Sequence, residues 1–119
     1  QKGIEIGNHS HSHSNMKNLS RAELQTEIKT AEEVFNRELG CAPKTFAYPG
    51  GKYSCQVMEV LGDSGYRLAF TMDEGTIIKR NDPLRLKRIG IDDHTGRLEF
   101  RLKLTPAFNW YQTLRRVKS

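Results

Sequence analysis

The chain has 119 residues, of which 36% are hydrophobic and 28% are charged, and these proportions are typical of a globular protein rather than a disordered one. No apolar run approaches the ~20 residues that a transmembrane helix needs. The net charge of +5 arises after residue 96, where the chain has six basic residues and one acidic residue, Glu99. Such a basic segment suits an anionic partner such as a cell wall, a membrane surface or nucleic acid. The alternative is that these residues form a solvated helix face.

The chain opens with a short apolar segment that leads into a histidine-rich segment. Residues 3–6 predict a strand, and His9, His11 and His13 follow at every second position. Only one further histidine, His94, occurs in the chain, so the clustering is not random.

The next element is a helix with clear start and stop signals. Ser20 is typical of an N-cap, and Glu23 three residues later completes a capping box. Gly40 is typical of the residue that ends a helix. Between them, apolar residues recur at helical spacing: Leu24, Ile28, Ala31, Phe35 and Leu39.

Strands and helices then alternate. Residues 44–51 predict a strand that stops at Pro49, because proline cannot donate to a β-ladder, and a tight turn at Gly50 and Gly51. Ser54 is predicted to cap a second helix that ends near Gly65. Two further strands are predicted over 66–72 and 84–91, with a loop between them. This order predicts an α/β fold with a mainly parallel sheet.

The C-terminal part is predicted to be helical. Residues 97–104 alternate apolar and charged side chains, but they also pair at helical spacing and are good helix formers. After Pro106 a last helix is predicted, with apolar positions at Ala107, Trp110, Tyr111, Leu114 and Val117.

The two cysteines do not define a motif. Cys41 and Cys55 are too far apart for a Cys-x-x-Cys site and too few for a disulfide framework. A single disulfide and two half-buried thiols both fit the sequence.

The histidine segment has the chemistry of a metal site. It lies just past the end of a predicted strand, as residues 48–51 do, and functional groups gather at the carboxyl ends of parallel strands. In a strand, His9, His11 and His13 would share one side. If the chain instead coils after His9, the imidazoles of His9 and His13 converge as an i, i+4 pair, and zinc accepts such ligands. Two imidazoles do not complete a metal site, so a carboxylate is expected from elsewhere.

Residues 3–13, which include Gly-Asn-His-Ser-x-x-His, resemble the second motif of the NodB-type polysaccharide deacetylases (carbohydrate esterase family 4). Residues 45–54 resemble the third motif of a subgroup that reads Phe-Ala-Tyr-Pro-Tyr-Gly and includes enzymes acting on poly-N-acetylglucosamine. The segments 65–71 and 82–91 resemble later parts of the same subgroup, so the match runs from about residue 3 to 115.

The resemblance implies that residues 1–119 are the C-terminal part of a distorted (β/α)7 barrel without its N-terminal strands, and that the enzyme is a metal-dependent N-deacetylase. His9 and His13 would bind zinc, with cobalt or nickel as alternatives, and the ion would activate a water against the acetamide carbonyl. Ser10 would orient the ligand loop. His11 maps to a variable position and is expected to face solvent without a ligand role.

Further roles follow from the same resemblance. The backbone N–H of Gly50 would help to hold the oxyanion, and Tyr48 and Pro49 would line the substrate groove. His94 is a candidate general acid, although an exposed turn residue needs no function.

The sequence also departs from the family pattern. The Asp-Asp motif, which supplies the catalytic base and the third metal ligand, lies upstream of the second motif, and this chain begins too late to contain it. We expect a removed leader or a larger protein, and an N-terminal segment of the same domain that carries the Asp-Asp pair. Ala47 and Gly50 replace a common Arg and Tyr, and no Asp-x-x-Asp-Trp or Leu-x-His-Asp segment occurs.

The leading interpretation is a hydrolase that deacetylates an N-acetylglucosamine polymer, whether poly-N-acetylglucosamine, a chitin-like chain or peptidoglycan glycan, with an extracellular or cell-wall location and a link to biofilm. The alternative is a non-catalytic descendant that binds glycan or cell wall, which the departures favour and the retained His9 and His13 oppose. A nucleic-acid partner is not expected, because Trp110 and Tyr111 fit helix packing better than interleaving with basic residues.

Overall fold

The computed structural model describes residues 3–108 and 110. Its helices are α1 (Arg21–Leu39), α2 (Cys55–Asp63) and α3 (Arg97–Lys103), and its strands are β1 (Thr45–Ala47), β2 (Leu68–Glu74) and β3 (Leu86–Arg88). Short 3₁₀ turns occupy Met16–Asn18 and Pro49–Gly51. The strands pair in parallel in the order β1-β2-β3, which confirms the predicted α/β class and the parallel sheet.

Helix α1 begins and ends where the sequence predicts. The Ser20 hydroxyl accepts a hydrogen bond from the Glu23 N–H, and the Glu23 carboxylate accepts one from the Ser20 N–H, so the capping box is complete. Gly40 ends the helix with φ of 72°, a left-handed conformation that glycine adopts without strain. The helix packs through its N-terminal and central turns, where Leu24, Ile28 and Ala31 are buried.

The core lies between the sheet and the helices α1 and α2. Helix α2 is capped by Ser54, whose hydroxyl accepts from the N–H of Val57, as predicted. The buried cluster joins both helices to β1, β2 and the segment before α1 through Met16, Leu24, Ile28, Phe46, Tyr48, Val57, Val60, Leu61, Tyr66 and Ala69.

The predicted strand over residues 3–6 is wrong. The segment is exposed, with Ile4 78% exposed. The pairing with β1 consists of one parallel bridge, between Asn8 just after this segment and Phe46. The Asn8 N–H donates to Thr45 O at 2.9 Å, and its carbonyl accepts from the Ala47 N–H at 2.9 Å. The ladder cannot continue to Ile4, because Pro43 has no N–H to donate there.

The other strand bounds differ by a few residues. The last strand is shorter than predicted, because the five residues of β2 from Phe70 to Glu74 face only the three residues of β3 from Leu86 to Arg88, and this irregularity interrupts the ladder. The side chain of Arg88 donates to Thr71 O at 2.8 Å beside the irregularity.

Helix α3 confirms the helix predicted over 97–104. The Lys103 ammonium is buried and donates to Gly90 O at 2.8 Å, while it pairs with Glu99 at 3.0 Å, so one basic side chain of this segment is used internally. The part of the predicted C-terminal helix from residue 111 onward, with Tyr111, Leu114 and Val117, lies outside the described residues. Over the described residues, no helix combines the length and the apolarity that a membrane span needs.

The cysteines do not form a disulfide. Cys41 and Cys55 are both exposed. Of the two predicted arrangements, the single disulfide is therefore wrong, and the thiols are not half-buried either.

Loss of the α1 cap should lower stability measurably. Ser20→Ala removes the hydroxyl that accepts from Glu23, and we expect the free energy of unfolding to fall by about 1 kcal/mol in urea. Thr26→Ala is the matched control, because the Thr26 hydroxyl only donates to Ala22 O inside the same helix, and its removal should be close to neutral. Equal losses for both variants would contradict the assignment of the cap.

Candidate functional site

The histidine loop, residues 9–14, leaves the sheet at Asn8 and coils back on itself. Ser10 and His13 have φ of 66° and 59°, left-handed values that are uncommon outside glycine. These two turns bring the rings of His9 and His13 together, with centroids 4.9 Å apart and planes at 69°. His11 is exposed. The i, i+4 histidines thus lie side by side, as the coiled alternative anticipated.

His9 is oriented by the end of β1. Its Nδ1 lies 2.7 Å from Ala47 O. Because a carbonyl oxygen only accepts, Nδ1 carries the proton, and Nε2 of the neutral ring keeps its lone pair. Metal-ligating histidines commonly use their second nitrogen in this way. The ring of His9 is therefore prepared for a cation on its Nε2 side.

Asn8 connects the loop to the core. The side chain is fully buried; its Oδ1 accepts from the Ser10 N–H at 2.9 Å, and its Nδ2 donates to the Tyr66 hydroxyl at 2.7 Å. Burial raises the pKa of Tyr66, so its hydroxyl stays protonated at neutral pH. Ser10 continues the network, because its hydroxyl accepts from the His13 N–H at 3.0 Å.

Glu27 of α1 holds the middle of the loop, a contact that the sequence analysis does not predict. Its carboxylate accepts from the Ser12 hydroxyl at 2.7 Å, from the Ser12 N–H at 2.9 Å and from the His11 N–H at 3.2 Å. Partial burial alone would raise the pKa of Glu27, but the hydrogen bonds from Ser12 and His11 outweigh it and keep the pKa below its usual range. A polar residue in a helix has no sequence signature for such a contact.

The described residues do not form a complete metal site. Among them, no group of three or more His, Cys, Asp or Glu side chains is placed to bind a metal ion. His9 and His13 fit zinc by their chemistry, since imidazole nitrogens are common zinc ligands, but they supply two positions of the four that zinc normally fills.

The turn at Pro49–Gly51 lies at the same edge of the sheet as the histidine loop, because β1 and the Asn8 segment run in parallel. Its hydrogen bonds are donated by the N–H groups of Gly51, to Tyr48 O at 2.8 Å, and Lys52, to Pro49 O at 3.1 Å. The N–H of Gly50, an exposed residue, takes no part in these two bonds. The turn therefore offers a backbone donor three residues after Ala47.

Tyr48 does not line an open groove. Its side chain is 1% exposed, its hydroxyl donates to Leu84 O at 2.6 Å, and its ring packs 5.6 Å from Phe46 and 5.4 Å from Tyr53. The predicted groove role of this side chain is wrong, because the side chain belongs to the core. Pro49 is also buried, and its groove role stays a prediction.

The described contacts of His94 do not involve His9 or His13. It is exposed in a turn, where its N–H donates to the Asp92 carboxylate at 3.0 Å. No hydrogen bond or ring contact within residues 3–108 joins it to His9 or His13. Its role as a general acid stays a prediction.

A parallel α/β sheet with paired histidines just past a bridge to β1 agrees with the deacetylase barrel that the motifs imply. Residues 1–69 match the family model described as Polysaccharide deacetylase, and the chain therefore belongs to this family. This confirms the family predicted from the motifs at residues 3–13 and 45–54.

Relatives extend the comparison. YlxY of Bacillus subtilis (strain 168), described as an uncharacterized protein, is 31% identical over 61 residues, which are 51% of this chain and 19% of YlxY. The Streptococcus pyogenes deacetylase PplD, solved in complex with acetate, matches with a TM-score of 0.78 and 24% identity over 84% of this chain and 44% of PplD. BA3943 of Bacillus anthracis, a CE4 family pseudoenzyme, matches with a TM-score of 0.52 and 28% identity over 55% of this chain and 23% of BA3943.

The chain thus spans about a fifth of YlxY and less than half of PplD. Because most of this chain superposes on less than half of PplD, the comparison confirms the prediction of a partial NodB-type barrel.

The Asn8–Tyr66 hydrogen bond should be measurable as a coupling. Asn8→Ala removes the acceptor of the Ser10 N–H and the amide that donates to the Tyr66 hydroxyl, and we expect a loss of about 2 kcal/mol or more in urea unfolding. Tyr66→Phe should cost about 1 kcal/mol. The double variant should lose less than the sum, because both partners are then removed. Strict additivity would mean that the bond does not contribute.

The two glycines of the turn should respond differently to alanine. Both have left-handed φ, 57° at Gly50 and 67° at Gly51. A Cβ on Gly51 would lie 2.6 Å from Met72 Cβ and 3.0 Å from Met72 N, whereas a Cβ on Gly50 meets only Lys52 Cγ at 3.8 Å. We expect Gly50→Ala to cost about 1 kcal/mol from backbone strain, and Gly51→Ala to cost about 1–3 kcal/mol more from overpacking. Equal costs in urea unfolding would refute the close contact with β2.

Proposed function

We propose that this chain forms the histidine-bearing part of a metal-dependent deacetylase that acts on N-acetylglucosamine-containing polysaccharide. The observation that carries the proposal is the paired imidazoles of His9 and His13, with Nδ1 of His9 bound to Ala47 O. This arrangement leaves nitrogen lone pairs available at a sheet edge where the family to which the chain belongs would perform its chemistry.

In this proposal, His9 and His13 hold a divalent ion, with zinc first and cobalt or nickel as alternatives. When bound, such an ion supplies Lewis-acid activation of water for attack on the acetamide carbonyl. Ser10 holds the His13 backbone in place, because its hydroxyl accepts a hydrogen bond from the His13 N–H. The backbone N–H of the exposed residue Gly50 would donate to the negative charge that develops on the carbonyl oxygen.

The remaining parts of the reaction are proposed to come from outside the described residues. A preceding segment of the same domain would bring an Asp-Asp pair, one carboxylate as a further metal ligand and the other as the base that takes the proton of water. The polymer would be poly-N-acetylglucosamine, a chitin-like chain or peptidoglycan glycan. Because these polymers lie outside the cell, the protein is proposed to act at the cell surface or in the cell wall.

A second candidate function is non-catalytic binding of glycan or cell wall. It is supported by the pseudoenzyme BA3943, which is 28% identical over 55% of this chain, and by Ala47 and Gly50 at positions where the family commonly has Arg and Tyr. In this case the protein would bind the polymer and release no acetate.

Metal titration and acetate release separate the two functions. We expect Co²⁺ to bind weakly to the chain. Loss of a group that only supports a metal ligand weakens binding about 10–100-fold, and we expect His9→Ala and His13→Ala to weaken it further than that. His11→Ala is the control, since its ring is exposed beside the same loop, and it should bind as the unaltered chain does.

Acetate release from a chitooligosaccharide is then measured with the protein extended upstream through the proposed Asp-Asp segment. Metal-dependent release that both ligand variants abolish would support the enzyme. Glycan binding without acetate, in the presence of metal, would support the non-catalytic alternative instead. Equal Co²⁺ affinity in all three histidine variants would refute the metal site.

A further inference from the structure

We infer that Glu27 of α1 is the positioning residue that fixes the histidine loop in the conformation in which the rings of His9 and His13 meet. The inference about the loop stands on its own contacts, and its consequence for metal affinity rests on the proposed function. Glu27 touches neither ring, so it acts through the backbone that carries them.

The contacts form a clamp on the middle of the loop. One carboxylate oxygen of Glu27 accepts two consecutive backbone N–H groups, those of His11 and Ser12, and the other accepts the Ser12 hydroxyl at 2.7 Å. Because the single hydroxyl proton of Ser12 is donated to Glu27, Ser12 accepts from the Ser14 hydroxyl, 2.7 Å away. One helix side chain therefore orders three successive parts of the loop.

The clamp holds the middle of the loop, which the hydrogen bonds of Asn8 and Ser10 leave unsupported. Asn8 fixes Ser10, and Ser10 fixes the N–H of His13, but neither holds the chain at the point where it reverses. Without Glu27, the N–H groups of His11 and Ser12 would turn to water, and the left-handed residues Ser10 and His13 would be released to relax. In an extended chain, residues four apart lie about 13 Å from each other, so the rings would separate.

Three variants isolate the effect. Glu27→Ala removes every acceptor of the clamp but keeps a residue that favours helix, so the fold should be retained. Glu27→Gln keeps a carbonyl oxygen for the N–H groups and an amide that donates to the Ser12 hydroxyl, and it should rescue most of the order. Glu33→Ala is the matched control, because Glu33 is an exposed glutamate of the same helix with one long ion pair to Lys29, at 3.9 Å.

The first readout needs no metal. Ring centroids 4.9 Å apart should give a nuclear Overhauser effect between the imidazole protons of His9 and His13 in the unaltered chain. We expect this signal to vanish in Glu27→Ala, to persist in Glu27→Gln and to be unchanged in Glu33→Ala. Persistence in Glu27→Ala overturns the inference, and so does absence of the signal from the unaltered chain, because then the rings are not paired.

The second readout is the Co²⁺ dissociation constant. We expect Glu27→Ala to raise it about 10–100-fold, the range for loss of a group that orients a ligand, while Glu33→Ala leaves it unchanged. If the unaltered chain binds no Co²⁺ although the ring signal responds to Glu27, the metal site of the proposed function fails and the role of Glu27 in the loop stands. Metal binding that is equal in Glu27→Ala and the unaltered chain overturns the positioning role.

Discussion

The buried amide of Asn8 is the constraint on which the candidate site depends. A buried amide is costly unless its polar atoms are paired, and here the backbone of Asn8 pairs with β1 while its side chain binds Ser10 and Tyr66. Tyr66 in turn packs with its ring 5.5 Å from Phe46 in the core. The residue before His9 is therefore held as firmly as the interior, and the loop starts from a fixed point on an otherwise exposed edge.

From that fixed point, the site is built by hydrogen bonds to backbone atoms. Ala47 O orients His9, the Ser10 hydroxyl holds the N–H of His13, and Glu27 holds the N–H groups in between. The only imidazole nitrogen used in these contacts is Nδ1 of His9. This division matters chemically, because groups that order the loop do not compete with a ligand for the remaining nitrogens.

The sequence predicted the elements whose signals are local. The capping box of Ser20 and the turn glycines after Pro49 are decided by neighbouring residues, and both lie where they were expected. What it could not predict depends on distant contacts. Residues 3–6 form no strand beside β1, the Tyr48 side chain packs into the core toward Leu84, and Glu27 contacts the loop from another element. The histidine pair could be predicted only as one of two alternatives, because its convergence depends on left-handed φ at Ser10 and His13.

The energetic balance of the loop bears on the choice between an enzyme and a non-catalytic descendant. A left-handed backbone at two residues other than glycine costs roughly 1–2 kcal/mol each. The contacts of Asn8, Ser10 and Glu27 offset this cost, and their combined effect is to hold two imidazoles together at the surface. Glycan binding alone does not need paired imidazoles, and a chain released from that requirement could relax to an extended loop at lower cost. The strained backbone and the network that supports it therefore favour a site that still binds a cation.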